Sequence, residues 1–357
     1  MTIQNATTTP MSMQLMTGAV DRLATQETTI QGEVSSGVLS DSYAGLGDQR
    51  YAALSLQPQI TEVAAWTSNI TSAQNTLSVT QTAMSRITTI ATNLQTSLTS
   101  LAGTTSASTV TAVALQARQD LTQLASLLNT QSGTEYVFAG NDSTSAPVAD
   151  PSTIASGTFF QTVAASVATV GTNGAATTEA ATVTAASDNG PSASVFSASL
   201  STDATSASAL GRSLTVGNQQ HVGVGLVATA GGAASATSTG SPIRDLMRAL
   251  AVVGSLDQAD SSSTGFTTLV QDTTTQMTAV SAGLGLEVTS LGQTQNNLTS
   301  QTASLGEMSD ALVKQLGAVK DSDPASLSTQ LTATQNQLQA SYSLIADMKG
   351  MSLAAYL

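Results

Sequence analysis

Histidine chemistry in this chain can run through one residue only, because His221 is its single histidine. A Ser-His-Asp arrangement would have to use His221, and a metal site with several histidines is excluded. The chain also has no cysteine, which removes thiolate nucleophiles, disulfides and cysteine-based zinc or iron–sulfur sites. We interpret His221 as a strand or loop residue, expect no catalytic and no metal site, and do not expect an enzyme.

A glycine-rich stretch is the second candidate for chemistry. Residues 223–228 read Gly-Val-Gly-Leu-Val-Ala, which fits a dinucleotide fingerprint with alanine in the third place, and Asp245 lies near the distance expected for a ribose contact. The fingerprint needs a helix whose N-terminus faces the pyrophosphate, and residues 229–232, Thr-Ala-Gly-Gly, are poor at starting one. We therefore expect no cofactor.

Asp321 and Asp323 form the third candidate, a calcium site. They precede Pro324 and lack the spaced oxygen ligands of an EF-hand loop. Proline fits the first turn of a helix, and carboxylates are favourable near the N-terminal end of a helix dipole. The pattern therefore predicts a helix break at 321–324, with acidic residues at the start of the next helix.

The charge of the chain limits its partners. Its 357 residues carry a net charge of −13, and the ten Lys and Arg residues are scattered. We therefore expect neither nucleic acid nor an anionic membrane as a partner. No apolar run approaches the roughly 20 residues of a membrane-spanning helix. Residues 1–20 lack the hydrophobic stretch of a cleaved signal peptide, so export would use another route.

Heptad spacing of apolar residues is the strongest structural signal. Between residues 49 and 140, one row of residues falls seven apart, and a second row follows three residues after each member of the first. The first row is Val63, Ile70, Leu77, Met84, Ala91 and Leu98; the second is Trp66, Ala73, Thr80, Ile87, Leu94 and Leu101. This pattern predicts a long helix, and a four/three spacing over 110–128 predicts a second one.

A longer seam lies in the C-terminal part. Pro242 precedes a short helical pattern, and the seam then runs through Met277, Leu284, Leu291, Leu298, Leu305, Leu312 and Val319. Beyond the predicted break, the last helix carries Leu327, Leu331, Leu338 and Ile345, and the N-terminus mirrors it with Met16, Val20, Leu23, Ile30 and Val34. Both ends of the chain are therefore predicted to be amphipathic helices.

A long apolar seam left uncovered on a monomer is an association surface. We therefore expect an assembly interface that consists of Val20, Leu23, Val63, Ile70, Leu77, Met84, Leu98, Leu284, Leu291, Leu298, Leu305, Leu312, Leu331, Leu338 and Ile345. The alternative is a self-contained helical bundle in which the same side chains form the internal core.

The middle of the chain, residues 141–241, is rich in Ala, Ser, Thr and Gly and shows no clear helical period. Alternations at Leu214-Thr215-Val216 and at residues 221–225 favour short strands. We expect a mainly α fold: a long antiparallel coiled-coil rod with an inserted, mostly β outer domain. The predicted divisions are 1–48, an N-terminal assembly helix; 49–140, rod helices; 141–241, the insert; 242–321, rod helices; and 322–357, a C-terminal assembly helix.

Three segments support a family resemblance. Residues 33–37, Glu-Val-Ser-Ser-Gly, precede a loop that bears Asp41 and then the long heptad helix. Residues 133–141 read Gly-Thr-Glu-Tyr-Val-Phe-Ala-Gly-Asn, and residues 351–357 read Met-Ser-Leu-Ala-Ala-Tyr-Leu. Over roughly 1–140 and 242–357 the chain resembles the bacterial flagellin superfamily, and the last two segments resemble its hook–filament junction subunits most.

The resemblance implies a structural subunit that joins the flagellar hook to the filament. It implies that the termini pair as an inner coiled coil, that the insert faces outward, and that the chain is exported to the extracellular flagellum. The implied partners are further copies of the chain, the hook-side junction protein, flagellin and an export chaperone on the C-terminal helix. Three alternatives remain: a flagellin that forms the filament itself, a secreted adhesin with a helical stalk, and a hydrolase in the insert.

Overall fold

The computed structural model describes residues 8–40, 42–102 and 106–354, with side chains for 14–40, 42–102 and 106–347. Within these ranges the fold is mainly helical. The helices are α1 (Thr8–Ser36), α2 (Arg50–Ala102), α3 (Ala107–Leu128), α4 (Thr158–Ala168), α5 (Val170–Asn173), α6 (Ala175–Ser187), α7 (Ala204–Ser208), α8 (Pro242–Gly254), α9 (Thr264–Lys320) and α10 (Pro324–Ala354). The strands are β1 (Gln131–Ser132), β2 (Glu135–Tyr136), β3 (Ser213–Gly217) and β4 (Gln220–Gly223).

The first compact unit comprises Met1–Ala64 and Gly306–Leu357. In it α1 packs against α10. Ser322 Oγ donates to Glu33 O, and Gln335 Nε2 donates to Glu27 Oε1. From Ser322 to Gln335 the chain moves forward, while the partner residues move back from Glu33 to Glu27. The two helices are therefore antiparallel. The predicted pairing of the terminal helices is confirmed.

Backbone hydrogen bonds join the segment that follows α1 to the segment that follows α9. Leu39 N donates to Lys320 O at 2.8 Å, and Ser322 N donates to Gly37 O at 3.0 Å. Gly37 has a φ of +73°, which a residue with a β-carbon adopts only with strain. The joint therefore holds α1 and α10 in one register.

The start of α10 follows the sequence pattern. Pro324 is its first residue, and Asp323 Oδ1 accepts a hydrogen bond from Ala325 N at 3.0 Å. The predicted break at 321–324 is confirmed, and the carboxylate of Asp323 satisfies a backbone donor that the first turn leaves without an intrahelical partner.

The second compact unit, Ala65–Leu305, has a core of large side chains. α3 and α8 pack against each other in it, and almost every residue of α8 is buried. Pro242 occupies the first turn of α8, and Ser241 Oγ accepts a hydrogen bond from Arg244 N. The predictions of α3 and of the helix after Pro242 are confirmed.

The insert corrects one part of the predicted fold. It contains the predicted β component, but helices α4 and α6, of 11 and 13 residues, outweigh strands β3 and β4, of 5 and 4 residues. The insert is therefore not mostly β. The helical period of α6 is hidden because three of its five buried residues, Thr178, Glu179 and Thr182, are polar.

The hairpin of the insert lies where alternation predicted strands. β3 and β4 pair antiparallel, with Thr215 opposite His221 and a register shift near the turn. Gln219 in the turn has a φ of +56°, which accommodates the tight reversal. Asn69 Nδ2 of α2 donates to Thr215 O at 2.8 Å and fixes the outer edge of β3.

Candidate assembly surface

The candidate catalytic histidine lies on a short hairpin. His221 is an exposed residue of β4, and its Nδ1 lies 3.2 Å from Thr215 Oγ1 on the paired strand. Among the described residues, no group of three His, Cys, Asp or Glu side chains could hold a metal ion. Among the described residues, the His221 ring therefore has a hydroxyl neighbour and no hydrogen-bonded carboxylate, which does not make a triad.

The dinucleotide fingerprint lacks the required local structure. Gly223 ends β4, and residues 224–241 form loops and turns instead of a helix. Asp245 is a buried residue of α8 whose carboxylate accepts hydrogen bonds from Ser238 Oγ and Thr239 N. The glycines therefore do not lead into a helix N-terminus, and the acid is committed to the loop before α8.

The heptad residues predicted as an interface are mostly core residues of a single chain. Twelve of the fifteen are buried: Val20, Val63, Ile70, Leu77, Met84, Leu98, Leu284, Leu291, Leu298, Leu305, Leu312 and Leu338. Leu23, Leu331 and Ile345 are half-buried. The expectation that these apolar faces lack cover within one chain is therefore wrong for the buried twelve. Heptad spacing identifies a face that will be covered, but it does not say whether the cover is internal.

Exposed large hydrophobic side chains concentrate in the first unit. Eight of the ten in the described chain belong to it: Leu15, Val34, Tyr51, Leu54, Met308, Val313, Tyr342 and Leu344. The other two are Leu115 and Leu286 in the second unit. Exposed apolar side chains that gather in one region mark interaction sites more often than isolated ones do.

Helix α10 shows why these side chains point to a partner. Leu327 and Leu338 are buried, whereas Tyr342 is 56% exposed and Leu344 is 47% exposed. Because α10 has apolar side chains on more than the face that packs on α1, a single helix partner does not cover it. This arrangement predicts a second apolar partner for α10.

The electrostatics of α10 favour the same conclusion. Of its 31 residues only Asp347 and Lys349 are charged. A helix with so little charge has few strongly hydrated groups that favour exposure to water. It also has few like charges that would oppose packing against another copy. On α1, by contrast, Asp21, Arg22 and Glu27 mark a more polar surface, and Glu27 accepts the hydrogen bond from α10.

Sequence reasoning missed the exposed part of this surface. The heptad row of α10 contains Ile345, and Leu344, one residue earlier, falls outside that row. The signal was nevertheless present: two consecutive apolar residues, preceded by Tyr342, give an apolar arc wider than one seam needs.

A second cluster of functional side chains lies buried in the second unit. Arg248 Nη2 of α8 donates to Gln276 Oε1 at 2.6 Å and to Thr237 O at 3.0 Å, and Gln276 Nε2 donates to the carboxylate of Glu179. Burial lowers the pKa of Arg248, and burial raises the pKa of Glu179 against the opposing effect of the Arg248 charge. The network links α6, α8 and α9 within the unit.

A cavity of about 200 Å³ lies beside this network, lined in part by Asp245, Arg248 and Gln276. Arg248 Nη2, Gln276 and the carboxylate of Asp245 are engaged with protein partners, whereas Arg248 Nε makes no hydrogen bond and lies 3.8 Å from Asp245 Oδ1. We assign the cluster a structural role, since its hydrogen bonds join α6, α8 and α9 and fix how these helices pack.

Comparison with known families matches a region at each end of the chain. Residues 7–143 match the profile of the bacterial flagellin N-terminal helical region, and residues 267–357 match that of the bacterial flagellin C-terminal helical region. Together the two matches cover more than half of the chain. No curated protein matches it at a significant level. Within the described residues, no helix combines the length and apolar character needed to cross a bilayer.

Proposed function

Because the chain belongs to the flagellin family of structural flagellar subunits, we propose that it assembles through its terminal helices and joins the hook to the filament, as hook-associated protein 3 does. The observation that carries the proposal is the concentration of exposed apolar side chains in the unit built from the two chain ends. Members of this family polymerise into the extracellular axial structure of the flagellum, so such a surface has a natural partner in another axial subunit.

We propose an interface made of the exposed residues Leu15, Tyr342 and Leu344 together with the half-buried Leu23, Leu331 and Ile345. The proposed partners are a second copy, the hook-side junction protein and flagellin. The buried heptad residues support the interface indirectly, because they hold the helices that present it. The segment 351–357, which carries part of the resemblance to junction subunits, lies outside the residues with described side chains.

The segment 133–141 supports the junction assignment through its resemblance alone, and local contacts fix its backbone. Gly140 has a φ of +63°, and a β-carbon there would lie 2.5 Å from Leu210 O. Phe138 is completely buried, and Asn141 N donates to Leu210 O at 2.8 Å. These residues are therefore demanded by the local structure of the second unit.

A filament-forming flagellin is the alternative, and growth behaviour separates the two. Purified, refolded protein is added to filament fragments and to hook ends, and the products are examined by electron microscopy. A single added layer on hook ends supports the junction function. Long filaments would assign the chain to flagellin, and absence of binding to either end would favour the adhesin.

We also propose that an export chaperone covers the apolar surface of α10 before assembly. A pull-down from the cytoplasm of the producing cell, with the full chain as bait, tests this. The Tyr342→Ser/Leu344→Ser variant should lose a partner that the wild type retains, and a wild-type bait that recovers no partner would refute the chaperone.

A further inference from the structure

The loop after α6 contains an Asn-Gly step at Asn189–Gly190. In such a step the glycine nitrogen can reach the asparagine amide carbon with little hindrance, because glycine has no side chain and its backbone is permissive. The chain has one other Asn-Gly step, Asn173–Gly174, which provides an internal comparison.

The guanidinium of Arg244 contacts the side-chain amide of Asn189, which is the electrophile of the reaction. Arg244 Nη2 lies 3.0 Å from Asn189 Oδ1, and it also lies 3.1 Å from Leu200 O and 2.9 Å from Thr202 O. A guanidinium on the amide oxygen stabilises the negative charge that develops there when a nucleophile attacks the amide carbon.

A carboxylate stands at the other reacting group. Gly190 N donates to Asp188 Oδ1 at 2.8 Å, and Asp188 is exposed to solvent. The carboxylate is therefore in hydrogen-bond contact with the proton that must leave for Gly190 N to act as a nucleophile. The electrophile and the nucleophile of one Asn-Gly step are thus each supported by a charged side chain.

Asn173–Gly174 has neither support in its described contacts. Asn173 Nδ2 donates to Thr169 Oγ1 at 3.1 Å, and Gly174 N donates to Val170 O at 3.0 Å. A peptide carbonyl is a much weaker base than a carboxylate. The hydrogen bond from Gly174 N therefore holds this nitrogen in place without activating it.

We propose that Asn189 is a self-modification site that converts to an acidic residue. Gly190 N attacks Asn189 Cγ and forms a new C–N bond. Asp188 accepts the proton of Gly190 N and passes it to the side-chain amide nitrogen of Asn189. The bond from Cγ to this nitrogen then breaks, and ammonia leaves. Water then opens the five-membered imide and gives an aspartyl or isoaspartyl residue. The sum consumes one water and releases one ammonia, with no redox change.

The carboxylate formed at position 189 would be adjacent to the buried guanidinium of Arg244. Arg244 is 3% exposed, and none of the ion pairs among the described residues includes it. Burial lowers the pKa of Arg244 to about 10, against the opposing effects of Asp203 and Asp245. A carboxylate at position 189 replaces a neutral contact of this guanidinium with a charged one, which ties the loop after α6 more firmly to α8.

Peptide mass spectrometry of the full chain, aged at neutral pH, tests the site. We expect the peptide with Asn189 to convert at least tenfold faster than the peptide with Asn173, with ammonia release and isoaspartate in the product. Equal rates, or faster conversion at Asn173, would overturn the proposal.

Variants separate the proposed chemistry from general lability. Asp188→Ala removes an exposed side chain and should slow conversion at Asn189 severalfold while it leaves Asn173 unchanged; an unchanged rate at Asn189 would refute the base. Gly190→Ala should abolish conversion there. Asn189→Asp should raise Tm relative to wild type, whereas the control Asn173→Asp should not, and a lower Tm for Asn189→Asp would contradict the ion pair with Arg244.

Discussion

The two compact units of this chain differ in how completely they bury their large apolar side chains. The largest fully buried side chains, among them Phe138, Leu124 and Leu200, lie in Ala65–Leu305. The unit Met1–Ala64 with Gly306–Leu357 instead exposes most of the large hydrophobic side chains that the described chain leaves in solvent. One unit therefore closes its own core, and the other retains apolar surface for a partner.

This difference separates stability from assembly. A substitution in the second unit's core should unfold that unit, whereas a substitution on the exposed surface of the first unit should leave folding intact and change association. The family's structural role needs both properties in one subunit, because a polymer requires a stable body and a surface that is satisfied only between copies.

The largest stability effect is expected for Leu298→Ala in α9. Leu298 is 1% exposed, and removal of its side chain leaves a cavity that should cost about 2–5 kcal/mol. The matched control is Leu286→Ala on the same helix, where the side chain is 73% exposed and the change should stay within about 0.5 kcal/mol. Urea unfolding measures both, and equal losses would break the distinction between core and surface.

Glu287, a half-buried acid whose Oε2 is inaccessible and makes no hydrogen bond, should make the second unit sensitive to pH. Burial raises the pKa of Glu287 from 4.5 to about 7. Because the folded state holds this proton more tightly than the unfolded state, stability from this group is full below pH 4.5 and falls as the pH rises to about 7. The loss should reach at most about 3 kcal/mol above that range.

Glu287→Gln should remove this pH dependence and make the chain more stable than wild type at pH 8. Glu307→Gln, an exposed acid on the same helix, is the control and should leave the wild-type profile unchanged. Urea unfolding at pH 4.5 and pH 8 measures the difference, and identical profiles for wild type and Glu287→Gln would refute it.

The joint of the first unit should respond to backbone geometry. Gly37→Ala forces a β-carbon into a φ of +73°, which should cost about 1–2 kcal/mol. Gly32→Ala in the interior of α1 should instead stabilise by up to about 1 kcal/mol. Neither position has an atom within 4 Å of the added carbon, so packing does not confuse the comparison. Thermal unfolding by circular dichroism should order the two variants on opposite sides of wild type.

The sequence predicted those parts of the fold whose physical cause is local. Heptad spacing located α2 and α9, and Pro324 with Asp323 located the start of α10, because periodicity and helix-end chemistry depend on neighbours in sequence. The helix α6 was missed because Thr178 and Thr182 are buried polar residues, which no pattern of apolar residues records. Thr178 Oγ1 donates to Ser166 O, and Thr182 Oγ1 accepts from Arg248 Nη1.

The assembly surface could be predicted only in part for the same reason. Leu298 and Leu344 are both leucines of long helices, but one is covered within the chain and the other is not. Which of the two faces receives internal cover depends on the packing of distant segments. The sequence therefore predicted that apolar faces would be covered, and the structure was needed to show which were left for a partner.

The most direct test compares paired substitutions in the two units. Leu15→Ser/Leu344→Ser changes exposed side chains of the first unit, and Leu115→Ser/Leu286→Ser changes exposed side chains of the second. Each variant is measured for Tm and for binding to hook ends by electron microscopy. We predict wild-type Tm for both, loss of binding for the first-unit pair and normal binding for the second-unit pair. Normal binding by the first-unit pair, or loss confined to the second-unit pair, would contradict assembly through the terminal helices.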